Sequence, residues 1–133
     1  MDNLTAEQRK NNMRRIKSSG SQAELLIRRE LRRNKVYFAR NVPSLPGKPD
    51  IVFRKKQVAV FVDSEFWHCH PTRFIMPKSN TRYWARKIAR NVARDEAVTA
   101  ELRAMGWRVI RIWEQDILKR PSVAARRILR ALE

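Results

Sequence analysis

Cysteine, glycine and long apolar runs are all scarce in this chain of 133 residues. The single cysteine, Cys69, excludes an intrachain disulfide framework, and three glycines exclude a glycine-rich linker. No apolar run approaches the roughly 18 residues of a membrane span. The opening residues MDNLTAEQRK lack the apolar stretch of a secretory signal. We therefore expect a cytoplasmic, nucleoid-associated protein with no membrane partner.

Negative charge is also scarce. Thirty Lys and Arg stand against thirteen Asp and Glu, which gives a formal net charge of +17. An excess of this size is typical of proteins that bind a polyanion such as nucleic acid, whereas acidic proteins and anionic membranes are weaker alternatives. With 43% hydrophobic residues, a chain of this length encloses one modest core, so we expect a single domain over residues 1–133.

Two capping patterns predict two short helices at the start of the chain. In each, a hydroxyl residue precedes an acidic or amide residue by three positions, Thr5 with Gln8 and Ser21 with Glu24. The second helix has an apolar face and a basic face that we expect to be exposed. The apolar face consists of Ala23, Ile27 and Leu31, and the basic face of Arg28, Arg29, Arg32 and Arg33.

The rest of the chain predicts an α/β fold, with a small mixed β-sheet flanked by helices. A short strand is expected at 36–38, and the apolar runs at 51–53 and 58–62 predict a central β-hairpin. Helical spacing predicts a long helix over 81–105, followed by a strand at 107–113 and a helix at 123–132. The inward stripe of the long helix comprises Trp84, Ile88, Val92, Leu102 and Met105. The strand, helix, strand order predicts a parallel neighbour.

Carboxylates gather at one end of the predicted hairpin. Asp50 begins its first strand and Asp63 ends the second, so antiparallel pairing brings both to the same end of the sheet, with Glu65 two residues further on. Acids beside a basic groove are costly unless a cation such as Mg²⁺ neutralises them. In the alternative interpretation, Asp50 is a turn residue after Pro49 and Asp63 merely ends a strand. Glu24 is explained by its capping position alone.

Asp95 falls in the apolar stripe of the long helix, where a carboxylate needs a partner. An arginine would make an ordinary buried pair. A histidine is the other option, and the sequence offers only His68 and His70. An aspartate that orients His68 would make the imidazole a competent general base.

The segment FVDSEFWHCH combines acids, aromatic rings and possible soft ligands within ten residues. His68, Cys69 and His70 are too closely spaced for a normal structural zinc site. Phe66 and Trp67 are either ordinary core residues or side chains that stack on bases or wedge into a duplex.

Several blocks in order resemble the very short patch repair (Vsr) endonucleases. They run from about Arg9 to about Gln115 and comprise NNMRRI, LPGKPDIVF, FVDSEFWHCH, YWARKIARNVARD and GWRVIRIWE. The resemblance implies a restriction-endonuclease-like core, a DNA-contacting helix within residues 1–20 and a Mg²⁺-dependent nicking activity. Family members cut the thymine-bearing strand 5′ of a T:G mismatch and thereby start repair of deaminated 5-methylcytosine.

The same resemblance implies roles for individual residues. Asp50 matches the principal metal ligand, assisted by the backbone carbonyl of Val62, while Glu24 and Asp63 match positions around the metal. We expect Asp50 and Asp63 to bind the metal together. His68 matches the general base and Asp95 the acid that orients it.

The resemblance also implies contacts with DNA. Met13, Phe66 and Trp67 match residues that wedge beside the mismatch, and Trp84 matches another aromatic residue that lies against the DNA. Lys87 lies one turn further along as a phosphate contact.

This sequence departs from the family at a structural zinc site. Members that bind zinc use one histidine and three cysteines, but here only His70 remains, with Glu65, Thr72 and Gln115 at the cysteine positions. We predict that no structural zinc is bound and that packing or salt links replace it. As a hypothesis, Glu65 becomes an additional Mg²⁺ ligand.

Three interpretations of function follow. The first is a T:G-directed nicking enzyme that is expected to act on double-stranded DNA as a monomer. Mismatch-repair proteins are its candidate partners. The second is a nickase or resolvase of the same superfamily without T:G preference. The third is a non-catalytic basic DNA-binding module, which explains the charge but not the acids within apolar strands.

Overall fold

The computed structural model describes residues 21–133. The helix expected around Thr5 and Gln8, and Met13 with it, lie outside this range. The elements in chain order are α1 (Gln22–Arg33), β1 (Ala39–Arg40), β2 (Ile51–Phe53), β3 (Val58–Asp63), α2 (Thr81–Ala104), β4 (Arg108–Trp113), α3 (Glu114–Lys119) and α4 (Pro121–Ala131).

The four strands form one mixed sheet in the order β1-β2-β3-β4. β2 pairs antiparallel with both β1 and β3, and β4 runs parallel to β3 after the crossover through α2. The α/β fold and the central hairpin are therefore confirmed, and the arrangement is that of a restriction-endonuclease-like core. Both hairpin strands are buried along their whole length, as their continuous apolar runs predict.

Alternate residues of β3 pack against different helices. Val58, Val60 and Val62 belong to the larger core, in which Ile27 of α1 and Ile128 of α4 take part. Ala59 and Phe61 face the opposite layer, where Leu102 of α2 covers them. This two-fold alternation also directs Asp63, which follows Phe61 by two residues, toward the α2 side.

The capping pattern at Ser21 is confirmed, because the backbone N–H of Glu24 donates to Ser21 Oγ at 3.2 Å. The expected exposure of Arg28 is wrong. Arg28 is buried and its Nη1 lies 3.5 Å from Glu24 Oε2, one turn earlier on α1. Burial of the arginine is tolerated because the carboxylate is buried with it.

Other predictions differ from the structure at the ends of elements. The strand expected at 36–38 lies instead at Ala39–Arg40, since the partners offered by β2 are Val52 and Ile51. Met105 is exposed rather than inward, because α2 ends at Ala104. Helix α3 was not predicted, being only six residues long and without a side-chain cap. None of the helices within residues 21–133 is long and apolar enough to cross a membrane.

Candidate active site

A cavity of about 490 Å³ opens between the carboxyl end of β3 and helix α2. Five carboxylates line it: Glu24, Asp50, Asp63, Asp95 and Glu114. His68 shares the cavity with them. The structure thus brings His68 together with the acids that the sequence predicts for the site, except Glu65, which does not line the cavity.

The hairpin register places Asp50 in this cavity. Ile51 pairs with Val60, so Asp50 stands across from the end of β3, and its Oδ2 accepts a 2.7 Å hydrogen bond from the backbone N–H of Val62. Burial raises the pKa of Asp50 to about 7, against the lowering effect of the Val62 N–H, and the nearby carboxylates of Glu24 and Asp63 raise it further. A site that disfavours negative charge in this way is suited to a cation.

Glu24 serves two purposes at once. Its backbone N–H takes part in the cap of α1, as the capping pattern predicts, while its carboxylate pairs with Arg28 and hydrogen-bonds to Asp50. The capping interpretation and the site interpretation are therefore compatible. Burial of Glu24 on the inner face of α1 fixes the carboxylate beside Asp50.

His68 lies between two carboxylates. Its Nδ1 hydrogen-bonds to Asp95 Oδ2, and its Nε2 is 3.7 Å from Asp63 Oδ1. Burial alone would lower the pKa of His68, but the hydrogen bond from Asp95 and the charge of Asp63 outweigh burial, so the pKa is raised. The side chains of His68 and Asp95 are each 25% exposed. Of the partners considered for Asp95, the histidine hydrogen-bonds to its carboxylate, and an arginine, Arg111, also lies 4.0 Å from Asp95 Oδ1.

Phe66, Trp67 and Trp84 form an aromatic cluster beside the cavity. Trp67 and Trp84 are only 7% and 6% exposed, and Phe66 contacts both rings at 5.3 and 5.6 Å between centroids. Lys87 lies over the Trp67 ring at 5.4 Å and also lines the cavity. The two tryptophans therefore occupy core positions in this structure, and their contact with DNA stays a prediction.

The four residues at the expected zinc positions join a polar cluster. Glu65 Oε2 accepts hydrogen bonds from Arg73 Nη1 at 3.3 Å and from the backbone N–H of Gln115 at 3.1 Å. His70 Nδ1 accepts from the backbone N–H of Thr72 and of Arg73. Glu65 is buried but does not line the cavity, so nothing in its position supports the hypothesis of an additional Mg²⁺ ligand.

Several cavity residues were missed by the sequence analysis. They are Lys48, Asn91, Arg94, Arg111 and Glu114. Burial raises the pKa of Glu114, and the charges of Glu65 and Glu24 add to the effect. Of these residues, Arg111 alone could have been identified from the sequence. It lies between Ile110 and Ile112 in an apolar strand, and alternation directs such a residue away from the larger core.

The donors in the cavity suit a hard cation held partly by other groups. Within residues 21–133, no three His, Cys, Asp or Glu side chains are grouped so that they could hold a metal ion by themselves. Asp50 and a backbone carbonyl such as that of Val62 would leave room for water and substrate phosphate. Mg²⁺ is commonly bound in this incomplete manner.

Comparisons with known proteins agree with this geometry. The family model described as DNA mismatch endonuclease Vsr matches residues 1–73. The type II nicking enzyme V.NmeDIP of Neisseria meningitidis serogroup C is 40% identical, over 99% of this chain and 90% of its own length. V.HpaIIP of Haemophilus parainfluenzae, also a type II nicking enzyme, is 37% identical over 99% of this chain and 96% of its own length.

The DNA mismatch endonuclease Vsr of Escherichia coli strain K12 is similar too. It is 32% identical, over 94% of this chain and 81% of its own length. The match to the family model includes Asp50 and His68, and the longer matches to these relatives extend over the helix that carries Asp95. This chain belongs to the Vsr family and is a DNA endonuclease.

Proposed function

We propose that the enzyme nicks the thymine-bearing strand of duplex DNA 5′ of a T:G mismatch, with Mg²⁺ as its cofactor. The observation that carries the proposal is the contact of His68 with Asp95 in the same cavity as the buried Asp50. A base oriented by an acid and a carboxylate that favours a cation are the two components that phosphodiester hydrolysis needs.

In this proposal Asp50 and the carbonyl of Val62 hold the cation. Bound there, Mg²⁺ supplies positive charge to the scissile phosphate. Glu24 lies close enough to raise the pKa of Asp50. In this proposal its carboxylate lies beside the bound cation. Asp63 is less suited to direct ligation, because both of its oxygens already accept hydrogen bonds from Arg111 at 3.0 and 3.2 Å.

His68 takes the proton from the attacking water. Asp95 accepts the hydrogen bond from Nδ1–H, which leaves the lone pair on Nε2 for the water and fixes the plane of the ring. Asp95 in turn is held on the rigid helix α2, so the imidazole cannot turn away from the cavity. The raised pKa of His68 makes the neutral ring a stronger base.

DNA is held beside the cavity by charge and by aromatic rings. Lys87 contacts a phosphate, and the cluster of Phe66, Trp67 and Trp84 wedges beside the mismatch together with Met13. The indole N–H groups of Trp67 and Trp84 are buried without a hydrogen-bond partner among residues 21–133. Such unpaired donors are costly, and a rearrangement that exposes them to DNA relieves the cost.

The test is nicking of a labelled duplex that carries one T:G pair, beside its T:A control, with Mg²⁺ and with EDTA. We expect Mg²⁺-dependent cleavage of the thymine strand alone, leaving a 5′-phosphate and a 3′-hydroxyl. One chain supplies every residue named in this proposal, so a monomer is sufficient for nicking. Mismatch-repair proteins would act after the strand has been cut. Cleavage that persists in EDTA contradicts the assignment of the cofactor.

A second candidate is a nickase without T:G preference. The observation that favours it is that the relatives at 40% and 37% identity carry the name type II nicking enzyme rather than mismatch endonuclease. Equal cutting of the T:G and T:A duplexes, or faster cutting of junctions and flaps in the same panel, selects this candidate.

A further inference from the structure

Arg111 is the most highly connected cation at the site. It stands on β4 in register with Phe61 of β3, and its Nη1 donates to both oxygens of Asp63 at 3.0 and 3.2 Å. The same Nη1 lies 4.0 Å from Asp95 Oδ1. One guanidinium therefore lies beside both of the carboxylates that contact His68.

All three nitrogens of the Arg111 guanidinium donate hydrogen bonds. Its Nε donates to Thr99 Oγ1 at 2.9 Å, and its Nη2 donates to the backbone carbonyl of Asp95 at 3.3 Å. The guanidinium carbon lies 4.2 Å above the centre of the Phe61 ring. These contacts use the planar fork of arginine and anchor β4 to the middle of α2, a geometry that a lysine cannot reproduce.

Two carboxylates that face the two nitrogens of one imidazole repel each other unless a cation lies between them. Arg111 is that cation, and it also ties Asp95 to the strand beside His68. We propose that Arg111 is a positioning residue, which holds Asp63 and Asp95 on opposite sides of His68 and thereby fixes the orientation of the general base. This inference rests on the proposed roles of His68 and Asp95.

A second cavity gives access to Arg111 from the other side. It has a volume of about 390 Å³; Asp63, His68, Asp95 and Arg111 line both cavities, and Thr99 lines the second. A small cation from solution can therefore occupy the space left by a truncated Arg111. This property makes chemical rescue possible.

The first experiment compares Arg111→Ala with wild type on the duplex that the wild-type enzyme nicks fastest. We expect kcat to fall by about 10²-fold while KM changes by less than about threefold, because orientation rather than DNA contact is lost. Millimolar guanidinium should restore at least tenfold of the lost activity. The control is Arg108→Ala, on the same strand, whose exposed side chain donates to the Ala131 carbonyl at 3.4 Å, and this variant should not respond to guanidinium.

A second pair of variants keeps the test decisive if Arg111→Ala folds poorly. Thr99→Val removes only the acceptor for Arg111 Nε and keeps the side-chain volume, so a several-fold loss of kcat is expected. Arg111→Lys keeps the charge but loses the fork, and a loss of at least tenfold is expected. With only two histidines in the chain, the Nδ1 proton of His68 can be followed by NMR, and its resonance should shift or broaden in each variant.

His68→Ala and Asp95→Asn are measured beside these variants to separate the two proposals. If both retain activity, the proposed base is wrong whatever Arg111 does. If both are inactive while Arg111→Ala and Arg111→Lys remain within about twofold of wild type, the role of Arg111 alone is overturned. A loss of activity in Arg111→Ala without guanidinium rescue and with an unchanged His68 resonance also overturns it.

Discussion

The Nδ1 atom of His68 and the carboxylate of Asp95 form a direct hydrogen bond, although 27 residues separate them along the chain. His68 comes from the turn after β3, and Asp95 from the middle of the crossover helix α2. The contact depends on the packing of α2 over Ala59 and Phe61, so the position of the base is coupled to the core of the α2 layer.

Asp95→Asn should leave DNA binding intact and lower the nicking rate by about 10²-fold or more, as expected for loss of the group that orients a general base. Single-turnover nicking and fluorescence anisotropy with labelled duplex measure the two quantities separately. Glu101→Gln, an exposed acid on the same helix, is the matched control and should behave as wild type. A parallel loss of binding and nicking would contradict the proposed role.

Asp50→Asn should stabilise the protein in EDTA at neutral and higher pH. The pKa of Asp50 is raised from 3.8 to about 7 in the folded state, so the folded state binds this proton more tightly than the unfolded state. The free energy of unfolding of the wild type, relative to that of the variant, therefore falls as pH rises from about 4 to about 7. Above about pH 7 it stays at the lower value. The expected difference at pH 8 is about 1–3 kcal/mol, and it should vanish near pH 4.

Thermal unfolding across pH measures this effect, and Mg²⁺ supplies an independent check. Added Mg²⁺ should raise the melting temperature of the wild type at pH 8 and leave that of Asp50→Asn nearly unchanged, because the cation relieves the same charge. An equal response of both proteins to Mg²⁺ would remove Asp50 from the set of ligands.

Lys87→Met should weaken binding to every duplex and reduce the slope of log K against log salt by about 1. Its ammonium lines the cavity and lies over the Trp67 ring, and in the proposed complex it contacts a phosphate. Lys55→Met, in the exposed turn between β2 and β3, is the control. Anisotropy titrations at four salt concentrations give the slopes, and equal slopes for the two variants would exclude a specific contact.

Gly47→Ala should destabilise the protein by about 1–3 kcal/mol or more and lower nicking activity. Gly47 has φ of +74°, and a Cβ there would lie 2.5 Å from Val98 Cγ1, so the loop that carries Lys48 and Asp50 would move off α2. Gly106→Ala is an informative comparison, because φ is +90° but the nearest atom is 3.8 Å away. Only Gly47→Ala should reduce nicking beyond its effect on melting temperature.

Glu65→Gln should lower the melting temperature and leave the Mg²⁺ concentration for half-maximal nicking unchanged. Its carboxylate accepts from Arg73 and from the Gln115 backbone, so the variant loses a charged contact of about 1–3 kcal/mol without touching the cavity. Magnesium titrations of nicking decide the point. A clear shift in the Mg²⁺ requirement would restore Glu65 as a ligand.

The sequence predicts the elements whose patterns are long or strongly apolar. The hairpin is predictable because two apolar runs flank the polar turn RKKQ, and Asp95 is predictable because a carboxylate interrupts a helical stripe. Arg111 was missed, since its contacts with the acids of the site depend on the parallel register with Phe61. Periodicity does not reveal this register. Strand β1 was misplaced for a similar reason, because an edge strand of two residues is set by its neighbour.

The parallel pairing of β3 with β4 also bears on when the enzyme first becomes active during its synthesis. Asp50 and His68 leave the ribosome well before β4, which starts at Arg108. Until that strand docks, one edge of β3 stays open, and neither Arg111 nor Glu114 is available to the cavity. If Arg111 positions the general base as proposed, the competence to cut DNA therefore arises only after β4 has been synthesised and has docked on β3.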